Sequence, residues 1–329
     1  MDKIAVLPRK DREDIFRETA AHYGMSASVA EKDFWVCWTL RRLFSCPEIA
    51  PHIIFKGGTC LAKVFKLIER FSEDIDLILN WKILTGEDPR AERSNSKQQQ
   101  FNEKLETSAM QYIREVLQPL VSELVSPVCT ATVDQNDGHV LRINYPAAFE
   151  NDYVLPYIKL EIGPLAAWHP HELYRIKPYA AEIFPDIFSA PETELRAIKA
   201  ERIFWEKVTI LHSEAHRPEQ SRMPARYSRH YYDVYKLAQS AVKDSAFTEP
   251  SLLKEVAEFK RKFYYCNWAK YDQAQPGAII LYPPQHVFNH LAADYKEMRV
   301  MIYGDYPEFP SMMNAIQMLE NEINKLPPR

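Results

Sequence analysis

The chain is most constrained between Phe55 and Leu79, which read FKGGTCLAKVFKLIERFSEDIDLIL. An apolar run, Ile53 to Phe55, breaks at Gly57-Gly58-Thr59, and apolar residues then recur at helix spacing through Leu61, Val64, Phe65 and Ile68. The stretch ends in Ser72-Glu73-Asp74-Ile75-Asp76 and runs into Leu77-Ile78-Leu79, a second strand. With only eight glycines in the chain, an adjacent pair between a strand and a helix marks a backbone that must turn tightly or come close to something. Such a turn lets N–H groups approach a phosphate, and the helix N-terminus behind it favours negative charge. Side chains alternate along a strand, so Asp74 and Asp76 share one face while Ile75, Leu77 and Leu79 take the other. Two carboxylates on one face of an apolar strand suit hard divalent cations. Thr59 and Ser72 add hydroxyls able to bond a phosphate oxygen.

The rest of the chain gives this stretch a context. Residues 11–23 and 28–46 have the pattern of helices, the second with Ser28 as its candidate cap and Glu31-Lys32-Asp33 as a charged first turn facing water. Residues 83–100 are polar and aperiodic, which predicts an exposed loop, and a long helix follows over 101–120. Residues 128–134 and 139–145 alternate as a hairpin around Asp137-Gly138, and 154–162 reads as a further strand with Lys159 and Glu161 on one face. Proline and aromatic residues crowd 163–192, the pattern of a surface linker. From there on helices are expected over 193–213, 227–240, 249–263, 284–302 and 308–325. The fold class this predicts is α+β: a mixed sheet with flanking helices over 1–190, then an all-helical half over 191–329 that completes an active-site cleft.

Gly57-Gly58-Thr59, a helix, and Ser72-x-Asp74-x-Asp76 on the next strand resemble the signature of DNA polymerase β-like nucleotidyltransferases. The longer form, Gly57-Gly58-Thr59-x-Leu61 with Arg70-x-Ser72-x-Asp74-x-Asp76-Leu77, is similar to the AbiEii/AbiGii-type toxins of bacterial toxin–antitoxin and abortive-infection systems. The resemblance continues through Lys207, the basic stretch Arg222 to Arg229, and Tyr232-Asp233-Val234-Tyr235-Lys236-Leu237. It implies transfer of NMP from an NTP to an acceptor hydroxyl, the 3′ end of tRNA, with growth arrest as the result. It also implies Mg²⁺ or Mn²⁺ on Asp74 and Asp76 with Glu161 as a third carboxylate, and phosphates over Gly57, Gly58, Thr59 and Ser72. Lys207 would meet the triphosphate, Asp233 would be the last active-site carboxylate, and a cognate antitoxin is the implied protein partner. A small-molecule nucleotidyltransferase and a non-catalytic nucleotide- or RNA-binding module are the alternatives.

Read without the resemblance, Lys207 emerges from an apolar stripe with Ile203, Ile210 and Leu211, as a lysine snorkelling past the core edge does. Asp233 has Arg229 at i−4 and Lys236 at i+3 as helix-surface partners. A net charge of −4 gives no global basic field, so any RNA contact must be local. Arg222, Arg226 and Arg229, interleaved with tyrosines, are the candidates, and FKRKFYYCNWAKY (259–271) repeats that chemistry. His212 and His216 stand four apart without a third ligand and read as a solvated pair at a helix end. Five scattered cysteines without C-x-x-C, and an N-terminus without an apolar run, fit a cytoplasmic protein. There is no P-loop, GxGxxG or GxSxG, which argues against ATPase, dinucleotide-oxidoreductase and serine-hydrolase chemistry.

Overall fold

Ile53, Ile54 and Phe55 have no exposed surface, because the strand they form lies inside a sheet. A computed structural model describes residues 1–149 and 154–327. Its strands are β1 (Ile53–Lys56), β2 (Ile75–Leu79), β3 (Thr130–Val133), β4 (Val140–Asn144), β5 (Tyr157–Gly163), β6 (His171–Ile176) and β7 (Thr193–Ile198). They form one seven-stranded sheet in the order β3-β4-β5-β2-β1-β7-β6. β2 runs parallel to β5 and β1 parallel to β7, while the remaining pairs are antiparallel, so the sheet is mixed.

Register aligns the acidic face. Asp76 lies opposite Lys56 of β1 on one side and Glu161 of β5 on the other. Along β5, Ile158, Leu160 and Ile162 are buried while Lys159 and Glu161 are half-buried, as a two-residue period requires.

The described chain divides into two compact units: Met1–Phe65 with Phe71–Ile198, and Lys66–Arg70 with Lys199–Arg329. The first holds the sheet. The second is helical, with Ala200–Ala215, Ser228–Ala238, Ala241–Thr248, Ser251–Phe263, Gln285–Glu297 and Phe309–Ile323 as its α-helices. No helix among the described residues is long and apolar enough to cross a membrane.

Several local expectations are corrected. The helix after Gly57-Gly58-Thr59 stops at Lys63, and Lys66 takes a left-handed φ of 54°. Phe65 and Ile68 are apolar for tertiary reasons: Phe65 packs on Tyr174, and Ile68 is buried in the second unit. Residues 193–198 are strand, not helix, and 171–176 inside the expected linker form its partner at the sheet edge. Helix within 83–100 starts at Asn95, where Ser94 accepts the Lys97 N–H.

The Ala27–Phe44 helix is capped by Ser26, not Ser28. Its Glu31-Lys32-Asp33 is not a solvated turn, since exposures are 1%, 1% and 8%. Glu31 accepts the N–H groups of Ala148 and Phe149, and Asp33 accepts from Tyr179 N–H and pairs with Lys63 at 2.6 Å. The Lys32 ammonium donates to Glu73 at 3.1 Å and to the carbonyls of Leu155 and Tyr157. Lys32→Met removes the charge that answers a carboxylate and two inward carbonyls. The expected loss is about 3–5 kcal/mol in chemical denaturation, with Lys32→Arg retaining part of it.

Candidate active site

Gly57 has φ +81°, and a Cβ built there would lie 1.8 Å from Asp76 Oδ2. The position therefore admits no side chain twice over: the left-handed backbone disfavours one, and the Asp76 carboxylate occupies its space. Asp76 faces the glycine bend, as the function read from the sequence requires.

Thr59 is 2% exposed, and its hydroxyl donates to the Asp74 carbonyl and lies 3.0 Å from the Ser72 hydroxyl. Its proton thus pins the entry to β2 onto the short helix, and Ser72, half-buried, is the hydroxyl nearer solvent. Asp74 is half-buried just before β2. Burial raises its pKa, the ammonium groups of Lys159 and Lys32 pull it down, and the neighbouring Glu73 and Asp76 charges push it up.

The donor chemistry here is two hard carboxylates at a backbone-lined bend, which fits a divalent cation. Glu161 stands beside Asp76 in register. Among the described residues no group of three or more His, Cys, Asp or Glu side chains is disposed to hold a metal ion. Mg²⁺ commonly takes one or two carboxylates and completes its shell with water and substrate phosphates.

In the helical unit, Asp233 has no exposed surface and sits between two cations. Arg70 grips it bidentately, Nε to Oδ1 at 2.7 Å and Nη2 to Oδ2 at 2.8 Å, and Lys207 Nζ lies 2.8 Å from Oδ2. Burial alone would raise the Asp233 pKa, but Arg70 and then Lys207 outweigh it and hold the carboxyl well below the usual range. The helix-surface partners expected from spacing are not the ones used, since Lys236 pairs with Glu69 at 2.7 Å.

Lys207 does not snorkel. It is 8% exposed and lies 3.3 Å from His230 Nδ1. An ammonium only donates, so this contact needs a lone pair on Nδ1 and the ring proton on Nε2. Burial, Lys207 and Arg229 all keep His230 neutral, its pKa well below the ordinary value. Arg70 and Lys207 thus share one carboxylate, and burial, with the Arg70 charge, holds the Lys207 pKa below its ordinary value although Asp233 pulls it up.

Arg222 and Arg226 are exposed, whereas Arg229 is half-buried beside this cluster. His212 is not solvated: it has no exposed surface, Nε2 bonds the Lys270 carbonyl, and Nδ1 accepts the Ile280 N–H. Burial brings its pKa down to about 4, so it is a neutral pin for two loops.

A family model described as "Nucleotidyl transferase AbiEii toxin, Type IV TA system" matches residues 38–317. The chain belongs to the AbiEii family. It is a nucleotidyltransferase toxin of a type IV toxin–antitoxin system, which brings an NTP substrate and an antitoxin partner with it. Among solved structures, MenT4, nucleotidyltransferase toxin Rv2826c from Mycobacterium tuberculosis H37Rv, is similar at 16% identity. That match covers 92% of this chain and 98% of that chain, with a TM-score of 0.41. No curated protein sequence matches.

In this AbiEii member the Asp76 carboxylate lies at the glycine bend, whereas sequence reasoning gave no role to Lys32 or Arg70. The available signal was charge inside otherwise apolar stretches: Glu31-Lys32-Asp33 precedes a run of buried residues, and Arg70 belongs to the signature itself.

Gly57→Ala forces the Asp76 carboxylate aside. Transfer is expected to fall roughly 10²-fold or more, as for an ångström-scale misplacement, at a stability loss of about 1–2 kcal/mol. Asp233→Asn leaves Arg70 and Lys207 without their counter-charge and is expected to cost about 3–5 kcal/mol at pH 7. Since the folded carboxyl titrates below its unfolded value, its contribution is full above about pH 4 and is lost as pH falls through the folded pKa. Denaturation followed from pH 7 downward should therefore show a stability gap between wild type and variant that closes in acid.

Proposed function

We propose that this AbiEii toxin transfers a nucleoside monophosphate from an NTP to the 3′-hydroxyl of tRNA, with a divalent cation, Mg²⁺ or Mn²⁺, and that the transfer arrests growth. The observation that carries this reading is the approach of the Asp76 carboxylate to the Gly57 bend. It puts an acidic ligand beside backbone with no side chain to keep a phosphate away.

Asp74 and Asp76 would hold the cation, with Glu161 next to Asp76. When bound, it would supply charge neutralisation and orientation at the phosphates. The chain's own residues do the remaining work. The Gly57-Gly58 backbone and the Ser72 hydroxyl line the phosphate position, and Thr59 keeps Asp74 in place through its carbonyl. The acceptor hydroxyl loses its proton to solvent as its oxygen bonds to the α-phosphorus, the bond from that phosphorus to the α–β bridging oxygen breaks, and pyrophosphate leaves. As the resemblance implies, the Lys207 ammonium would meet the triphosphate and its leaving group. Asp233 fixes the Lys207 ammonium at 2.8 Å, so its part is to aim that charge.

The deciding experiment incubates purified protein with bulk tRNA, Mg²⁺ and each labelled NTP in turn. Label is expected at the RNA 3′ end from one or a few NTPs, and tRNA whose terminal diol has been oxidised by periodate should take none. Label on an aminoglycoside instead of RNA would favour a small-molecule enzyme, and no transfer at all a binding module. Asp74→Ala or Asp76→Ala is expected to lower the rate roughly 10³-fold or more with circular dichroism unchanged. Retained activity would remove the site.

A further inference from the structure

The two segments in which arginine and lysine alternate with aromatic residues lie far apart in sequence, yet the helical unit joins them. Within 217–229 stand Arg217, Arg222, Arg226 and Arg229 against Glu219, and within 259–271 stand Lys260, Arg261, Lys262 and Lys270 with no acid.

Arg217 is the joint. Its guanidinium is held bidentately by Glu214, at 2.6 and 2.8 Å, at the end of the Ala200–Ala215 helix. From there it donates to the Arg222 carbonyl at 3.3 Å and lies 4.9 Å over the Trp268 ring. The same helix pins the second segment again, through His212 Nε2 and the Lys270 carbonyl at 3.0 Å. The two backbones are therefore neighbours on one rigid support.

The exposed side chains of the two segments point to its ligand. Tyr264 and Tyr265 follow directly on Lys260-Arg261-Lys262 and are 49% and 65% exposed. Large rings left in water cost free energy unless something covers them. Arg222, Arg226, Arg261 and Lys270 are exposed as well.

We infer that these segments form one face that takes the unpaired end of an RNA, bases stacked on Tyr264 and Tyr265 and phosphates on Arg222, Arg226, Arg261, Lys262 and Lys270. An extended basic strip with stacking rings suits a single strand, whose bases are free to stack, better than a duplex, whose bases are already stacked. The acids at its margin, Glu219, Glu258 and Asp272, are each exposed and stand among more numerous cations. The inference rests on the RNA-acceptor reading above and names the surface that would present that acceptor.

It is tested by binding without chemistry. The full chain in EDTA, with no NTP, is titrated into a fluorescein-labelled single-stranded RNA of about ten nucleotides, into a blunt duplex of the same sequence, and into bulk tRNA, with fluorescence anisotropy as the readout. The wild type is expected to prefer the single strand. Tyr264→Ala with Tyr265→Ala should weaken it roughly 10- to 100-fold, in line with loss of base stacking, while the paired Phe variants keep affinity. Arg261→Gln with Lys262→Gln should lower the slope of log affinity on log salt by about 1.4, at about 0.7 per phosphate contact on a single strand. Thermal melting of the Ala variants should match wild type, since both tyrosines are exposed.

Equal binding of duplex and single strand, or an Ala pair that binds as wild type, overturns the inference. Transfer to tRNA with a KM untouched by the Ala pair overturns it while leaving the proposed activity standing. Stacking-dependent RNA binding without any transfer supports the surface and overturns the activity.

Discussion

Three consecutive charges buried in one turn of helix set the frame of the sheet-bearing unit. A buried charge without a partner is too costly to keep, and successive helix residues point about 100° apart. Glu31, Lys32 and Asp33 therefore cannot share one counter-charge and must each find a different segment. Glu31 takes the backbone of Ala148 and Phe149, Lys32 takes Glu73 with the carbonyls of Leu155 and Tyr157, and Asp33 takes Lys63 with Tyr179 N–H. Those segments are not random. Lys63 ends the helix that Gly57 begins, Glu73 adjoins Asp74, and Leu155 to Tyr157 lead into the strand that carries Glu161. One turn of the Ala27–Phe44 helix thus fixes both flanks of the acidic strand and the helix behind the glycine bend.

The helical unit applies the same rule to a different end. Asp233 is fully buried and answers Arg70 and Lys207 together, with Arg229 close by. Here two cations share one carboxylate, which pairs both well enough to be buried. A neutral His230 accepts a hydrogen bond from the Lys207 ammonium without adding charge. Arg70 is the signature residue that belongs to the helical unit. Only one residue separates it from Ser72, and its side chain holds a carboxylate 163 positions later in the chain.

What was legible in the sequence was what is local. The Gly57 turn, the Asp-x-Asp strand and the Thr130–Asn144 hairpin each carry their cause within a few residues. Burial of Lys32 was not legible, because its partner Glu73 is 41 positions away and charges at a helix start ordinarily face water. The edge pair of strands was hidden for another reason. At the rim, His171–Ile176 alternates poorly and leaves Leu173 61% exposed, so its sheet identity comes from its partner and not from its own pattern. Thr193–Ile198 was hidden because a helix begins at Ala200 with only Lys199 between them and no glycine or proline to mark the change. The over-long helix after the glycines is the same failure in reverse. Phe65 and Ile68 kept the helical period, but each is apolar for a contact outside that helix.

The acidic strand edge also has to fold before any ligand reaches it. Asp74 and Asp76 repel, Glu73 adds to that, and burial makes the Asp74 charge costlier than in water. Two lysines offset this from opposite sides. Lys32 is locked at 1% exposure by carbonyls and Glu73, so its charge is a fixed part of the scaffold. Lys159, half-buried on β5, acts on Asp74 more strongly than Lys32 does. Between them the two lysines offset the cost of placing a half-buried Asp74 carboxylate beside two other acids.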